Sequence, residues 1–393
     1  LFGVPRGVLL LGIVSFLTDV SSEGIFAVLP LFLTGVMGAS PLVLGTMEGL
    51  ADFAASSLDL GSGYASDRLG QRKGLAVLGY GLSTAAKTVL VFAVTTGQIF
   101  AFRIVERLGK SIRGAPRDAL LAGIAPQATR GASFGVHKAL DKAGAILGPL
   151  GAFALLDHFG PSLSSFRTLF IAAVIPAVAS VVLLILFVPE RKGALPERIP
   201  LRQALRTMGP AFRHYLVSAG IFSSGYFSYA FLLLAATRAR FESKHVALLY
   251  GLSNVSFTVL SVPIGRLGDR IGRRTIIAAS YGIYALLAFG FAVATTRTTV
   301  ILLFIVYGVF YAIDEGQTKA YIADLVPDET RATAIGAYGF VTALVYLPAS
   351  LLAGGLWTAF GPEVTFGVAG SVALLALLYF LAIRPPLPKK ASS

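Results

Sequence analysis

The sequence predicts an all-α membrane protein of twelve transmembrane helices, arranged as two six-helix bundles around a central cavity. Three observations carry that expectation. Hydrophobic residues fill 55% of the 393 positions, charged residues only 13%, and the mean hydropathy is +0.76; a water-wetted domain carries about 25% charge. Apolar runs near the roughly 20 residues that span a bilayer recur from end to end. Motifs in the first half of the chain return in the second. A soluble α/β protein would show amphipathic helices between shorter apolar runs. A β-barrel would alternate apolar and polar residues over about ten positions, and stretches such as Ile171 to Val188 do not alternate.

The spans fall at 8–33, 41–64, 74–94, 98–120, 131–157, 164–188, 210–236, 245–266, 273–294, 298–321, 331–356 and 363–383. Several carry charges, so their assignment leans on spacing and on the repeat. Lysine and arginine in the connections set the orientation. Arg191, Lys192, Arg198, Arg202 and Arg206 crowd the 189–209 connection, and Arg68, Arg72 and Lys73 follow the second span. Arg270, Arg273 and Arg274 follow the eighth, and Arg384, Lys389 and Lys390 lie in the tail, whereas 34–40 and 95–97 hold no charge. Both termini are therefore expected in the cytoplasm, with the chain multi-pass in a bacterial cytoplasmic (inner) membrane. Arg238, Arg240 and Lys244 are an exception on the opposite side.

The formal charge of +13 sits in these short connections, which fits an anionic leaflet rather than nucleic acid. There is no cysteine, hence no disulfide framework or thiolate chemistry. No secretory signal is visible. The four histidines are scattered over separate segments, so no metal site is expected, and no cofactor or nucleotide-binding loop is indicated.

Gly63-Tyr64-Ala65-Ser66-Asp67-Arg68-Leu69-Gly70 returns as Gly265-Arg266-Leu267-Gly268-Asp269-Arg270-Ile271-Gly272, and Pro126, Arg130 and Gly135 return as Pro327, Arg331 and Gly336. The two offsets differ by a single residue. They divide the chain into a bundle at 1–188, a cytoplasmic connection at 189–209, a bundle at 210–383 and a tail at 384–393. Such duplication suits a transporter whose halves rock around a shared site.

These features resemble the major facilitator superfamily of secondary transporters over nearly the whole chain. The signature in the second-to-third connection is Gly63, Asp67, Arg68, Gly70, Arg72 and Lys73, echoed by Gly265, Asp269 and Arg270. The resemblance implies a conformational latch there. Gly135, Gly144, Gly148, Pro149 and Gly151 resemble the family's antiporter pattern, although Ala152 stands where a second glycine is usual. Arg103 matches the family's fourth-span arginine, often tied to proton coupling, while Arg107 replaces a glycine. The resemblance also implies that the third span is peripheral, which makes Lys87 a snorkelling or structural residue.

The fourth span holds the densest charge. Arg103, Glu106, Lys110, Arg113 and Arg117 fall within about 80° at ~100° per residue, with Arg107 just beside them. In lipid each central charge would cost about 2.5–3.5 kcal/mol, so this face must look onto water or opposite charge. Glu48, Asp52 and Asp59 share a face of the second span, Asp19 and Glu23 lie one turn apart in the first, and His137 and Asp141 share a face of the fifth beside Lys138 and Lys142. The coupling candidates are thus Asp19, Glu23, Glu48, Asp52, Arg103, Glu106, Arg107, Lys110, His137 and Asp141, with Asp19 and Glu23 the leading proton carriers and Arg103 their electrostatic regulator. Arg113, Arg117, Asp118 and Asp59 read better as structural pairs near the inner surface. The second half offers Tyr226, Tyr229, Asn254, Asp314, Glu315 and Lys319 as cavity residues.

The expected function is proton-coupled export of a small organic solute by alternating access, by a monomer in contact with membrane lipids and not by an enzyme. The alternative is uptake or exchange of a carboxylated or phosphorylated solute, since arginine forks bind either oxyanion.

Overall fold

The computed structural model describes residues 5–69, 72–126, 130–190, 209–326 and 331–383, with the side chains of 59–71, 130–132 and 331–332 outside the described set. Among the described residues nine helices are long and apolar enough to cross a membrane. The chain runs α1 (Arg6–Phe26), α2 (Leu29–Leu31), a π turn (Phe32–Val36), α3 (Pro41–Leu69), α4 (Arg72–Val91), α5 (Thr96–Ile124), α6 (Arg130–Phe159) and α7 (Leu163–Phe187). It continues as α8 (Pro210–Gly225), α9 (Tyr229–Ala236), a 3₁₀ turn (Thr237–Ala239), α10 (Ser243–Ile271), α11 (Arg273–Val293), α12 (Arg297–Leu325) and α13 (Arg331–Ala382). Satisfying backbone hydrogen bonds within the segment is what makes helices the workable form in lipid.

The repeat shows in local structure. Helices α4, α5, α6 and their echoes α11, α12, α13 begin 201 residues apart, at Arg72/Arg273, Thr96/Arg297 and Arg130/Arg331. Thr95 and Thr296 each cap the following helix by accepting from the backbone N–H three residues on, satisfying an orphan donor of its first turn. Gly160 and Gly361 both adopt positive φ, 73° and 85°, a conformation glycine reaches at little cost. Gly361 therefore divides α13 at the place where the sequence separates its eleventh and twelfth spans.

Two spans depart from the continuous helices expected. The first is interrupted after Phe26 and resumes as α2 and the π turn. The seventh unwinds between Gly225 and Tyr229, and the hydroxyl of Tyr284 meets the loosened backbone, accepting from Phe227 N at 2.9 Å and donating to Gly225 O at 3.3 Å. A buried partner of this kind is what allows a helix to break at membrane depth. Sequence periodicity carries no sign of it, because Tyr284 lies 57 residues away.

Packing is closest between α1 and α6, α4 and α5, and α3 and α5, with α8–α13, α11–α13 and α10–α12 in the second part. Helix α3 packs on α13 and α6 on α10, joining the two parts. A Cβ on Gly45 would stand 2.3 Å from Ser350 O, and one on Gly354 would stand 2.7 Å from Pro41 O, so the first of these seams is drawn to backbone contact by small residues.

In the antiporter-like stretch, Cβ atoms on Gly144 and Gly148 would crowd Phe16 O and, at 2.7 Å, Val20 O, whereas among the described residues nothing lies within 4 Å of one on Gly135 or Gly151. Gly144→Ala is expected to lower stability by about 1–3 kcal/mol through overpacking against α1, while Gly151→Ala leaves it unchanged. Thermal unfolding of the two purified variants in detergent checks this; equal midpoints would show that α1 yields freely.

Candidate functional site

A cavity of about 300 Å³ lies where α1, α3, α5 and α6 face the Tyr226–Tyr229 break, α10, α12 and α13. Its walls differ sharply in chemistry. Arg103, Arg107, Lys110, Arg113, Arg117, Lys138 and Lys142 line one side with Asp19, Glu23, Asp52 and Asp141. Tyr226, Tyr229, Tyr250, Tyr307, Tyr311 and Tyr346 line the other with Ser228, Ser253, Asn254 and Glu315. The stripe on α5 therefore faces a polar cavity, as its cost in lipid demands.

Most of the wall charges are paired. Arg103 donates from Nε and Nη2 to the two oxygens of Glu48, both at 2.8 Å, and its guanidinium lies 4.2 Å from the Phe26 ring. Arg107 meets Asp52 at 2.6 Å. Arg117 meets Asp118 at 2.9 Å and Asp141 at 4.0 Å. Lys138 lies 3.4 Å from both Asp141 and Glu315, and Lys142 is 3.9 Å from Glu315. Asp19, Glu23, Lys110 and Arg113 also line the cavity, and among the described residues none of them makes an ion pair. Glu23 instead accepts from the Tyr250 hydroxyl at 2.5 Å, and Arg113 donates to Ser83 Oγ at 2.7 Å over the face of Tyr80.

Behind the wall, Glu48 and Glu106 are buried. Ser228 donates to Glu48 at 3.1 Å, tying the seventh-span break to the Arg103 pair. Glu106 is 3.7 Å from Arg103 Nη1, yet neither its carboxylate oxygens nor that nitrogen has a hydrogen-bond partner among the described residues. Lys87 is wholly buried and donates to Ser22 Oγ at 2.8 Å. A snorkelling role is thereby excluded; its ammonium stays inside because α1 provides an acceptor there. His137 hydrogen-bonds Ser15 Oγ at 3.0 Å, away from the cavity wall. Asp314 and Lys319 are likewise not among the lining residues, whereas Tyr226, Tyr229, Asn254 and Glu315 are. Arg113 and Arg117, read from sequence as structural, line the cavity too.

Polar contacts cross between the two parts of the chain: Asn254 donates to Ala145 O at 3.1 Å, Lys244 meets Asp157 at 2.8 Å, and the exposed Lys138 meets Glu315 at 3.4 Å. Within the second part Arg238 pairs with Glu363. The Asp67 and Arg68 side chains and Gly70 lie outside the described residues; Gly63 lies in α3. Arg72 donates to Ala119 O at 3.1 Å, and its echo Arg273 donates to Ala320 O at 3.2 Å, one contact made twice at an offset of 201. Arg273 also pairs with Asp269 at 3.2 Å and Asp324 at 2.8 Å. Gly265 and Arg270 lie on the same helix, α10.

A model of the Major Facilitator Superfamily matches residues 11–242 and 239–393. An uncharacterized MFS-type transporter of Methanocaldococcus jannaschii is 36% identical over 97% of this chain and 95% of its own length. An uncharacterized protein of Mycobacterium tuberculosis is 28% identical over 97% and 93%. Among solved structures, the nucleoside transporter NupG superposes with a TM-score of 0.81 at 13% identity, covering 96% of this chain and 99% of that one. A POT family transporter in complex with 5-aminolevulinic acid gives 0.80 at 13% identity, covering 96% of each chain. At such identities the structural likeness speaks for the fold alone.

Proposed function

The chain belongs to the Major Facilitator Superfamily, and from that premise we propose that it is a proton-coupled transporter whose coupling protons ride on Asp19 and Glu23. It is a multi-pass integral membrane protein and a secondary transporter of a small molecule, not an enzyme. The observation that carries the coupling reading is the contrast among the wall carboxylates: Asp52, Asp141 and Glu315 are held in ion pairs, while among the described residues Asp19 and Glu23 have no such partner. An unpaired acid can gain and lose a proton without breaking a salt bridge. Arg103 is anchored on Glu48, and the charges that bear on Asp19 are Asp141, Glu23, Lys110 and Arg113.

Twelve spans in two six-helix bundles follow if α3 and α5, long helices that bring Asp52 and the basic stripe to the cavity, are added to the nine apolar ones and α13 is divided at Gly361. The bundles at 1–188 and 210–383 would then rock about the cavity, with Arg72 and Arg273 as parts of the two latches. Both termini and the 189–209 connection would face the cytoplasm of a bacterial cell. Cysteines placed singly at Gly193 and Ser393 should both label from that side; opposite sides would sink the even-span arrangement.

Export is the direction suggested by the glycine pattern of α6. Uptake or exchange of an anion is favoured by one specific observation, the seven lysine and arginine side chains on the wall. Proteoliposomes carrying an imposed proton gradient test the proposal. A solute moved against its own gradient, and no longer moved once the proton gradient is collapsed, is the expected result. Movement indifferent to protons would remove Asp19 and Glu23 from the mechanism.

A further inference from the structure

We infer that the cargo is a small organic anion whose oxyanion head is held by Lys110 and Arg113, and that it binds together with protons on Asp19 and Glu23. The inference rests on the transport reading and adds the chemical class of the cargo and the sign of its coupling. Among the described residues, these two bases and two acids are the lining charges that make no ion pair. Ionised, the four sum to zero. A proton on each acid leaves two positive charges unmatched, and in a partly dry cavity such an imbalance is strongly felt. A monoanion removes half of it and a dianion all of it. When the protons leave, Asp19 and Glu23 again balance Lys110 and Arg113, and the anion is released.

Charges from every packed element shape this exchange. Asp141 of α6, Glu23 one turn along α1, and Lys110 and Arg113 of α5 act on Asp19, while Glu23 bears on Lys142 of α6 and Lys87 of α4 and takes the Tyr250 hydroxyl of α10. A cationic cargo would meet the same lysines and arginines as repulsion. The facing wall tells the same way about the rest of the molecule. Among the described residues no aliphatic side chain larger than alanine lines the cavity, and its apolar surface comes from Phe26 and tyrosine rings, which suits a flat or polar body better than an alkyl chain. Six tyrosines supply hydroxyls and ring faces, and the Tyr229 hydroxyl is buried without a hydrogen-bond partner among the described residues. A phenol in that position donates to oxygen-rich groups of a seated solute.

Binding of lactate, malate, 4-hydroxybenzoate and a hexose phosphate to the purified full chain, each beside its neutral or amine counterpart, tests the inference and separates carboxylate from phosphate. At least one anion should bind in preference to its counterparts, more tightly at low pH, by up to about tenfold per pH unit for each linked proton. Lys110→Gln should weaken that binding roughly tenfold and Lys110→Arg should restore most of it, since a charge-assisted contact is lost and regained. Asp19→Asn should keep the anion while flattening the pH dependence. Preference for the amines, anion binding that is flat or weaker at low pH, or no anion binding would each overturn the inference. Gradient-driven accumulation of an amine or alcohol would overturn it while leaving the transport reading intact. A protein that binds the anions but moves none of them would sink the transport reading and leave the anion site standing.

Discussion

Glu48→Ala is expected to cost about 3–5 kcal/mol, the usual result of removing one partner from a buried ion pair, and to yield little correctly folded protein. Arg103 is 1% exposed and is gripped by both Glu48 oxygens. Its other close acid, Glu106, approaches at 3.7 Å without a hydrogen bond, so it cannot take over without movement. The loss is comparable to much of a typical protein's net stability. Replacing both members at once, Glu48→Leu with Arg103→Met, should recover part of it, because no charge is then stranded. Thermal unfolding in detergent, read by size-exclusion of the soluble fraction, checks both. A wild-type midpoint for the single variant would show that Arg103 does not depend on Glu48.

The α5 stripe was legible in the sequence because helical periodicity alone puts Arg103, Lys110, Arg113 and Arg117 on one side, and lipid forbids that side from facing outward. The repeat was legible because two motifs recur at almost the same spacing, and the paired contacts Arg72 to Ala119 and Arg273 to Ala320 follow that register. What stayed hidden depends on distance across the fold. Tyr250 reaches Glu23 from 227 residues away, and Lys87 finds Ser22 across 65; neither pairing leaves a local pattern. The tyrosine wall was legible only in part: Tyr226 and Tyr229 were cavity candidates, whereas Tyr250, Tyr307, Tyr311 and Tyr346 come from three other helices and gain meaning only by convergence. Sequence could rank the acids of the first half by depth. Their depth and one-turn spacing already put Asp19 and Glu23 first as proton carriers; what sequence could not show is which acids are paired, and among the described residues these two wall acids make no ion pair.

Replacing Asp19 or Glu23 with its amide should abolish most proton-driven accumulation, a loss of about tenfold or more, while sparing exchange of solute at equal pH. The two measurements part company for a physical reason. Exchange needs only that the loaded protein reorient, and an amide resembles the protonated acid in charge and shape. Net uphill movement needs the proton to leave on the other side, which an amide cannot permit. Asp19 should show the larger effect, since among the described residues no hydrogen bond or ion pair holds its carboxylate, whereas Glu23 accepts from Tyr250 at 2.5 Å. Tyr250→Phe should therefore bring the behaviour of Glu23 closer to that of Asp19 without removing transport. Counterflow and gradient-driven flux, measured on the same proteoliposomes of each purified variant, give the comparison directly. Full gradient-driven flux in both amide variants would return these acids to a structural role.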